Sequence, residues 1–141
     1  MGKSKEAEAK LAQSEARYRA LFENMNGGFV LFEVVQDDTG APVDLTILAG
    51  NKGFERTTGL NLAEVTGRRL TEALPGIERD SADWIGTYGR VALTGEPCHF
   101  ERRSDLLGRR YSVNAYRPAP NQCAVTFFDV TEARQTETER D

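Results

Sequence analysis

Three short helical segments follow one another between residues 51 and 76, and none is long enough to stand alone. Asn51 can cap the first and Gly59 can close it. Asn61 can cap the second, with Glu64 three residues on and Gly67 at the end. Residues 69–74 make a further turn or two before Pro75-Gly76 stops them. Helices below about 12–15 residues are marginal in water. These pieces therefore need an apolar surface to lie on, and the flanking sequence must supply it as a sheet.

The flanks read that way. FVLFEVV (29–35) is rich in β-branched and aromatic residues, and VDLTILAG (43–50) alternates; DDTGAP (37–42) turns between them as a hairpin would. Beyond the short helices, Ser81 is expected to cap a longer helix over residues 82–94, ended by Gly95. Trp84, Tyr88, Val91 and Ala92 share one face of it. Three more strands are expected: CHFERRS (98–104), RRYSVNAYR (109–117) and QCAVTFFDV (122–130), with turns at Leu106-Leu107-Gly108 and Pro118-Ala119-Pro120-Asn121. Two strands, several helices and three strands make an α+β domain on a five-stranded antiparallel sheet.

Composition narrows the function classes. The 141 residues are 39% apolar and 9% aromatic, enough for one core without covalent staples. Two cysteines, Cys98 and Cys123, are too few for a disulfide framework and fit a reduced, cytoplasmic setting. A single histidine, His99, removes most metal-site and triad arrangements. The net charge of −4, with both signs interspersed, argues against a nucleic-acid surface. No run approaches the roughly 18 apolar residues of a membrane span. The start, MGKSKEAEAK, has no apolar signal region, and Glu6 breaks the N-myristoylation pattern.

Both ends read as polar helices. In residues 3–25, Leu11, Tyr18 and Met25 recur every seven positions with Ser14 and Leu21 between them, a thin apolar seam. Packing on its own domain and pairing with a partner helix both fit this seam. Pairing is favoured because residues 3–10 offer almost nothing apolar to dock locally. At the other end, FFDVTEARQ (127–135) stops a strand at an acid. Asp129 can cap a helix there, Glu132 stands where a reciprocal capping acid belongs, and Thr131 adds a hydroxyl at the same corner. The polar residues that follow read as the stub of a longer helix, with an output domain beyond residue 141, or as a frayed tail.

Taken together and in this order, these residues resemble the PAS family of sensory domains. EARYRALFENMNGG is similar to the helix that leads into many of its bacterial members. NKGFERTTGLNLAEVTGRRLTEALPGI resembles the family's Asn-x-x-Phe, Thr-Gly and Glu-x-x-Gly progression. DWIGTYGRVALTGEP is similar to the long helix of one subgroup, and Asp129-Val130-Thr131 matches the family's Asp-x-Thr ending. The resemblance covers about residues 14–135. It implies short helices and one longer helix on one face of a five-stranded sheet, flanked by N- and C-terminal signalling helices: 3–25, then the sensory domain over 26–130, then 131–141. It implies an intracellular sensory and dimerisation module of a multidomain signalling protein, a histidine kinase or a cyclic-dinucleotide enzyme. A homodimer would form through the N-terminal helix and the outer sheet face. Asp129 and Thr131 would carry the signal from the last strand into the outgoing helix.

The resemblance also places a ligand between the inner sheet face and the long helix. A blue-light flavin site needs a cysteine just after the second small helix, where this chain has Gly67-Arg68-Arg69. An oxygen-sensing haem site needs a histidine on the long helix, and residues 82–94 contain none. His99 adjoins Cys98 in a strand, so the two side chains point to opposite faces. No flavin adduct, haem or metal is expected; a small organic ligand, or none, remains. Cys123, Val125 and Phe127 share one face of the last strand. The resemblance turns Ser112, Asn114 and Tyr116 inward, above Phe127 and Val125 and beside Trp84 and Tyr88. Alternation alone equally allows Val113 and Ala115 to face the core.

Enzymatic readings find little support. The chain has no phosphate-cradling glycine loop, no nucleophile elbow and no metal spacing. Two rivals to a ligand-binding sensor remain: a ligand-free structural dimerisation domain, and a small α+β cone enzyme of the isomerase type. The second needs an acid inside the sheet. Glu33 and Glu101 are the candidates, and both alternate with hydrophobes as outward-facing residues do.

Overall fold

The alternating runs pair into one sheet with a single apolar face. A computed structural model describes residues 27–133. The hairpin of β1 (Gly28–Gln36) and β2 (Pro42–Gly50) leads into α1 (Lys52–Thr58), α2 (Leu62–Val65), α3 (Leu70–Ala73) and a 3-10 turn (Ile77–Arg79). Next come α4 (Trp84–Thr94), β3 (Cys98–Ser104), β4 (Arg109–Tyr116) and β5 (Gln122–Asp129). The strands lie in the order β2-β1-β5-β4-β3, every neighbouring pair antiparallel. The expected α+β fold with five antiparallel strands is therefore present. The expected helix over 3–25 and residues 134–141 of the outgoing segment lie outside the described residues.

Register decides which side chains meet. Phe32 pairs with Cys123, Val113 with Phe127, and Ala115 with Val125. All six are buried on the inner face, with Leu45 and Ile47 of β2 beside them. Helix α4 crosses β2, β1, β5 and β4 and buries Trp84, Tyr88, Val91 and Ala92 against them.

The corner at Asn51 fixes where the helices begin. Asn51 is 1% exposed, and its Oδ1 accepts from the N–H of Phe54 (3.0 Å) and of Phe29 (2.8 Å). One side chain thus caps α1 and ties it to β1. A Cβ on Gly53 would lie 2.1 Å from the Gly27 carbonyl oxygen, so only glycine lets α1 rest on the start of β1. The segment after α2 covers the free edge of β2: the Gly67 N–H donates to the Ile47 carbonyl, and the Ile47 N–H donates to the Arg68 carbonyl.

The start of the long helix differs from expectation. Asp83, not Ser81, is the cap, and the helix begins at Trp84. Asp83 is left-handed (φ 51°) and accepts from the Gly86 N–H. Ser81 instead bonds Asp105 through its N–H and hydroxyl. Asp80 explains the shift. It is 6% exposed and accepts from the Trp84 indole N–H (3.1 Å), the Ser104 hydroxyl, and the N–H groups of Ala82 (3.0 Å) and Asp105 (3.1 Å). One carboxylate therefore pulls residues 80–82 away from helical geometry and pins the β3–β4 turn to the base of α4. Burial pushes the Asp80 pKa up, but hydrogen bonds from Ser104, Ala82, Asp105 and Trp84 outweigh it and hold it below the ordinary value.

Two outcomes follow for stability. Asn51→Ala leaves two donors without this acceptor at a buried corner and should cost about 2–4 kcal/mol. Asn61→Ala, at an exposed cap, should cost about 1 kcal/mol or less. Urea unfolding midpoints at constant m-value check that order. Asp80→Ala should cost about 3–5 kcal/mol, because several donors lose their acceptor together. The folded Asp80 pKa lies below the unfolded value of about 3.9, so its contribution is full above that pH and is lost as pH falls through the folded pKa. Asp80→Asn should accordingly flatten the loss of stability below about pH 4.

Candidate functional site

A cavity of about 70 Å³ lies between the inner sheet face and helices α1, α3 and α4. Its walls are almost wholly apolar. Phe54 and Leu70 come from the short helices, Trp84 and Tyr88 from α4, and Val113, Val125 and Phe127 from the sheet. The Phe127 ring covers Gly28, where a Cβ would lie 2.1 Å from the ring. It meets Phe54 and Tyr111 edge-on, at centroid distances of 6.5 and 5.9 Å. Trp84, Tyr88 and Phe32 continue as a stack at 5.9 and 5.8 Å. Burial pushes the Tyr88 phenol well above its ordinary pKa and the Tyr111 phenol up to about 12, so both stay neutral at physiological pH.

Four of the seven residues expected to face a ligand line this cavity: Trp84, Tyr88, Val125 and Phe127. Ser112, Asn114 and Tyr116 do not. They stand on the outer face, and Tyr116 is 49% exposed. The reason is register. β4 places Val113 opposite Phe127 and Phe100, which puts Tyr111, Val113 and Ala115 inside and turns the intervening polar residues out. The cavity therefore has no polar ceiling from β4. Its hydroxyls are Thr57 and Thr58 of α1, Tyr88 and Tyr111. Tyr111 and Val113 were legible as the alternative face of the same strand, whereas Leu70 and Phe54 carry no sequence signal that separates lining from core.

The chain leaves the sheet at a second constellation. Asp129 accepts from the Thr131 N–H (3.0 Å) through one carboxylate oxygen and from Arg109 Nε (2.7 Å) through the other. Thr131 Oγ1 accepts from the Arg110 N–H (2.7 Å), and the Val130 N–H donates to the Arg110 carbonyl (2.8 Å). Arg110 in turn pairs with Glu101 at 2.8 Å. Residues 131–133 are helical, so this knot sits at a strand-to-helix step. Burial raises the Asp129 pKa, but hydrogen bonds from Thr131 and the Arg109 guanidinium bring it below the usual carboxylate range.

The remaining candidates lie away from the cavity. Glu33 and Glu101 are on the outer face, so neither supplies the inward acid that proton-transfer chemistry needs. His99 is exposed, its Nδ1 2.8 Å from Asn114 Oδ1. Burial pushes the Cys123 thiol up to about 12 and also raises Cys98, which makes both poor nucleophiles. Among the described residues no group of three potential metal ligands gathers, and no helix is long and apolar enough to cross a membrane.

Solved structures share this architecture. A domain of a sensory box sensor histidine kinase/response regulator from Geobacter sulfurreducens is 18% identical with a TM-score of 0.58, covering 84% of this chain and 96% of its own. The PAS domain of an HTR-like protein from Haloarcula marismortui is 23% identical with a TM-score of 0.57, covering 89% and 98%. The PAS domain of Bordetella pertussis BvgS is 21% identical with a TM-score of 0.56, covering 93% and 92%. No curated protein matches the chain in sequence. A family model described as a PAS domain matches residues 16–92, more than half of the chain. With the sheet order, the apolar cavity beneath the long helix and the Asp129–Thr131 knot, that match settles the family: this chain belongs to the PAS domain family.

Proposed function

We propose that this domain is a regulatory, non-catalytic sensory and dimerisation module of a multidomain cytoplasmic signalling protein, a histidine kinase or a cyclic-dinucleotide enzyme. In this reading the sensor spans residues 26–130, between the segments 3–25 and 131–141 assigned to pairing and to output. The observation that carries this reading is a proximity along β5. Phe127 lines the cavity, and Asp129, two residues or about 7 Å further along the strand, is the knot at the exit. A ligand that moves Phe127 strains the element that sets the direction of the next helix. The outer face supports dimerisation, because Tyr116 and Phe128 leave 49% and 41% of their surfaces exposed there.

The ligand is a small, apolar organic molecule. Ordinary ligand pockets start near about 300 Å³, and an engineered apolar cavity of about 150 Å³ holds benzene. At about 70 Å³ this cavity admits such a molecule only with some side-chain movement, and its volume favours a body smaller than a flavin or a haem. Gly67-Arg68-Arg69 also offers no thiol for a flavin adduct, and its backbone is engaged at the β2 edge. The same small volume favours the second reading, a ligand-free dimerisation module.

Mass spectrometry of small molecules released from the purified protein separates the two. A sensor should release a stoichiometric apolar compound, and adding it back at 100 times its Kd should raise stability by about 2.7 kcal/mol. Val125→Phe, which fills the cavity, should abolish that gain. No released compound and no thermal shift with any small apolar molecule would leave the ligand-free module. For transmission, Asp129→Ala with Thr131→Val removes the side-chain hydrogen bonds of the knot, each of about 1 kcal/mol, and leaves the Val130–Arg110 backbone bond. Amide exchange at residues 130–133 should speed up by about 10–100-fold while that of Val125 stays unchanged. Protection retained at the knot would mean that these two side chains do not hold the exit.

A further inference from the structure

Helix α4 lies across β2, β1, β5 and β4, and the inner face of the edge strand β3 floors a separate groove of about 260 Å³. Thr87, Arg90 and Val91 line it from α4, and Cys98, Phe100 and Arg102 from β3. Arg102 is half-buried and rigidly held. Its guanidinium carbon lies 4.2 Å over the centre of the Phe100 ring, and Nη1 donates to the Ala82 carbonyl and to Thr87 Oγ1, both at 2.9 Å. These neutral partners fix the group without cancelling its charge. Arg109 and Arg110, on the neighbouring strand, each have a carboxylate within 2.8 Å; Arg102 has none within ion-pair distance among the described residues. Arg90 is exposed and likewise has no side-chain partner there. Both guanidinia bear on the Cys98 thiol, where burial raises the pKa and the two arginines oppose it. Glu96 and His99 also border the groove, and Glu96 pairs with neither arginine.

A partly desolvated, unpaired charge is unfavourable, and an anion that reaches it recovers the loss. With Nη1 engaged, the Nε and Nη2 edge of Arg102 has no partner among the described residues, and that edge matches a carboxylate through two parallel hydrogen bonds. Val91, Pro97 and Phe100 supply an apolar wall for a short or flat body. We propose that the α4–β3 groove binds a small organic monocarboxylate, its carboxylate on Arg102 and Arg90 and its apolar body against Val91 and Phe100. This site is separate from the interior cavity and does not depend on what that cavity holds. The two share a wall, because Phe100 packs at 6.1 Å from Trp84 and 6.4 Å from Tyr88.

Benzoate titrated into the isotope-labelled 141-residue chain is the direct probe. Saturable amide shifts are expected at Thr87, Arg90 and residues 98–102. Benzamide, the uncharged counterpart, should bind about tenfold more weakly or less well still. Arg90→Gln, at an exposed position whose side chain makes no hydrogen bond or ion pair among the described residues, should weaken benzoate by about tenfold. Arg102→Lys, which keeps the charge and loses the fork, should do the same, and Arg102→Gln should abolish binding. The proposal is overturned by equal affinities for benzoate and benzamide, by shifts at Phe54 and Val125 in place of the groove, or by Arg90→Gln and Arg102→Lys binding benzoate as the parent does. It is equally overturned if tens of millimolar benzoate produce no saturable shift.

Discussion

The helices between β2 and β3 take their stability from one face of one sheet. α1, α2 and α3 are seven, four and four residues long, below what a helix needs to persist in water. Their apolar side chains, Phe54, Val65 and Leu70, are buried only because β1, β2, β4 and β5 present a continuous inner surface. That surface exists only in one register. A slip of one residue in β5 would replace Cys123, Val125 and Phe127 with Ala124, Thr126 and Phe128, and would undo the cavity and the exit knot together. The side-chain period of two is therefore the constraint on which shape and site both rest.

The same period explains what could be read from the residues and what could not. Strands, turns and most glycine stops were legible because each has a local cause: Asn51 and Asn61 cap, and Gly59 and Gly95 close helices with φ of 76° and 81°. Gly67 (φ 86°) does not close α2 as expected: Thr66 is the cap, and Gly67 turns the chain just beyond it, where the Arg68 N–H donates to the Val65 carbonyl. β4 was ambiguous, since either of its faces could be apolar enough to lie inward. Only the partner strand resolves it, by setting Val113 against Phe127. The start of α4 departs from its local signal for a related reason. Ser81 has the local chemistry of a cap, but Asp80 is held by Ser104 and Asp105, more than twenty residues away. Long-range partners of a single carboxylate are invisible to any window of sequence. Arg102 shows the same limit: its ring, carbonyl and hydroxyl contacts come from β3, the turn before α4 and α4 itself.

Asp80 also gives the cavity a connection that its own lining does not reveal. It holds the Trp84 indole, which lines the cavity, and the Ser104 and Asp105 end of the β3–β4 turn. β4 starts where that turn ends, with Arg109 on Asp129 and the Arg110 backbone on Thr131 and Val130. Two routes thus run from the cavity wall to the exit: a direct one along β5 from Phe127, and one through Trp84, Asp80 and the turn. They approach the knot from its two strands, so a displacement that moves one strand along the other changes the distance between Arg109 and Asp129.

On the proposed reading, that geometry sets what kind of motion can be passed on. The outgoing segment begins at Thr131, where a carboxylate and a hydroxyl fix the entry angle; the segment's polar composition would not fix it. A rigid strand pair would deliver nothing to it, because coupling needs an element with two arrangements that a ligand distinguishes. The Arg109–Asp129 pair fits that role better than the buried Asp80. It is partly exposed, so breaking and remaking it costs little, whereas Asp80 has several buried donors to satisfy and keeps one arrangement. On the proposed reading, the rigid carboxylate beside the cavity and the labile one at the exit stand in the order in which a local displacement can become a change of helix direction.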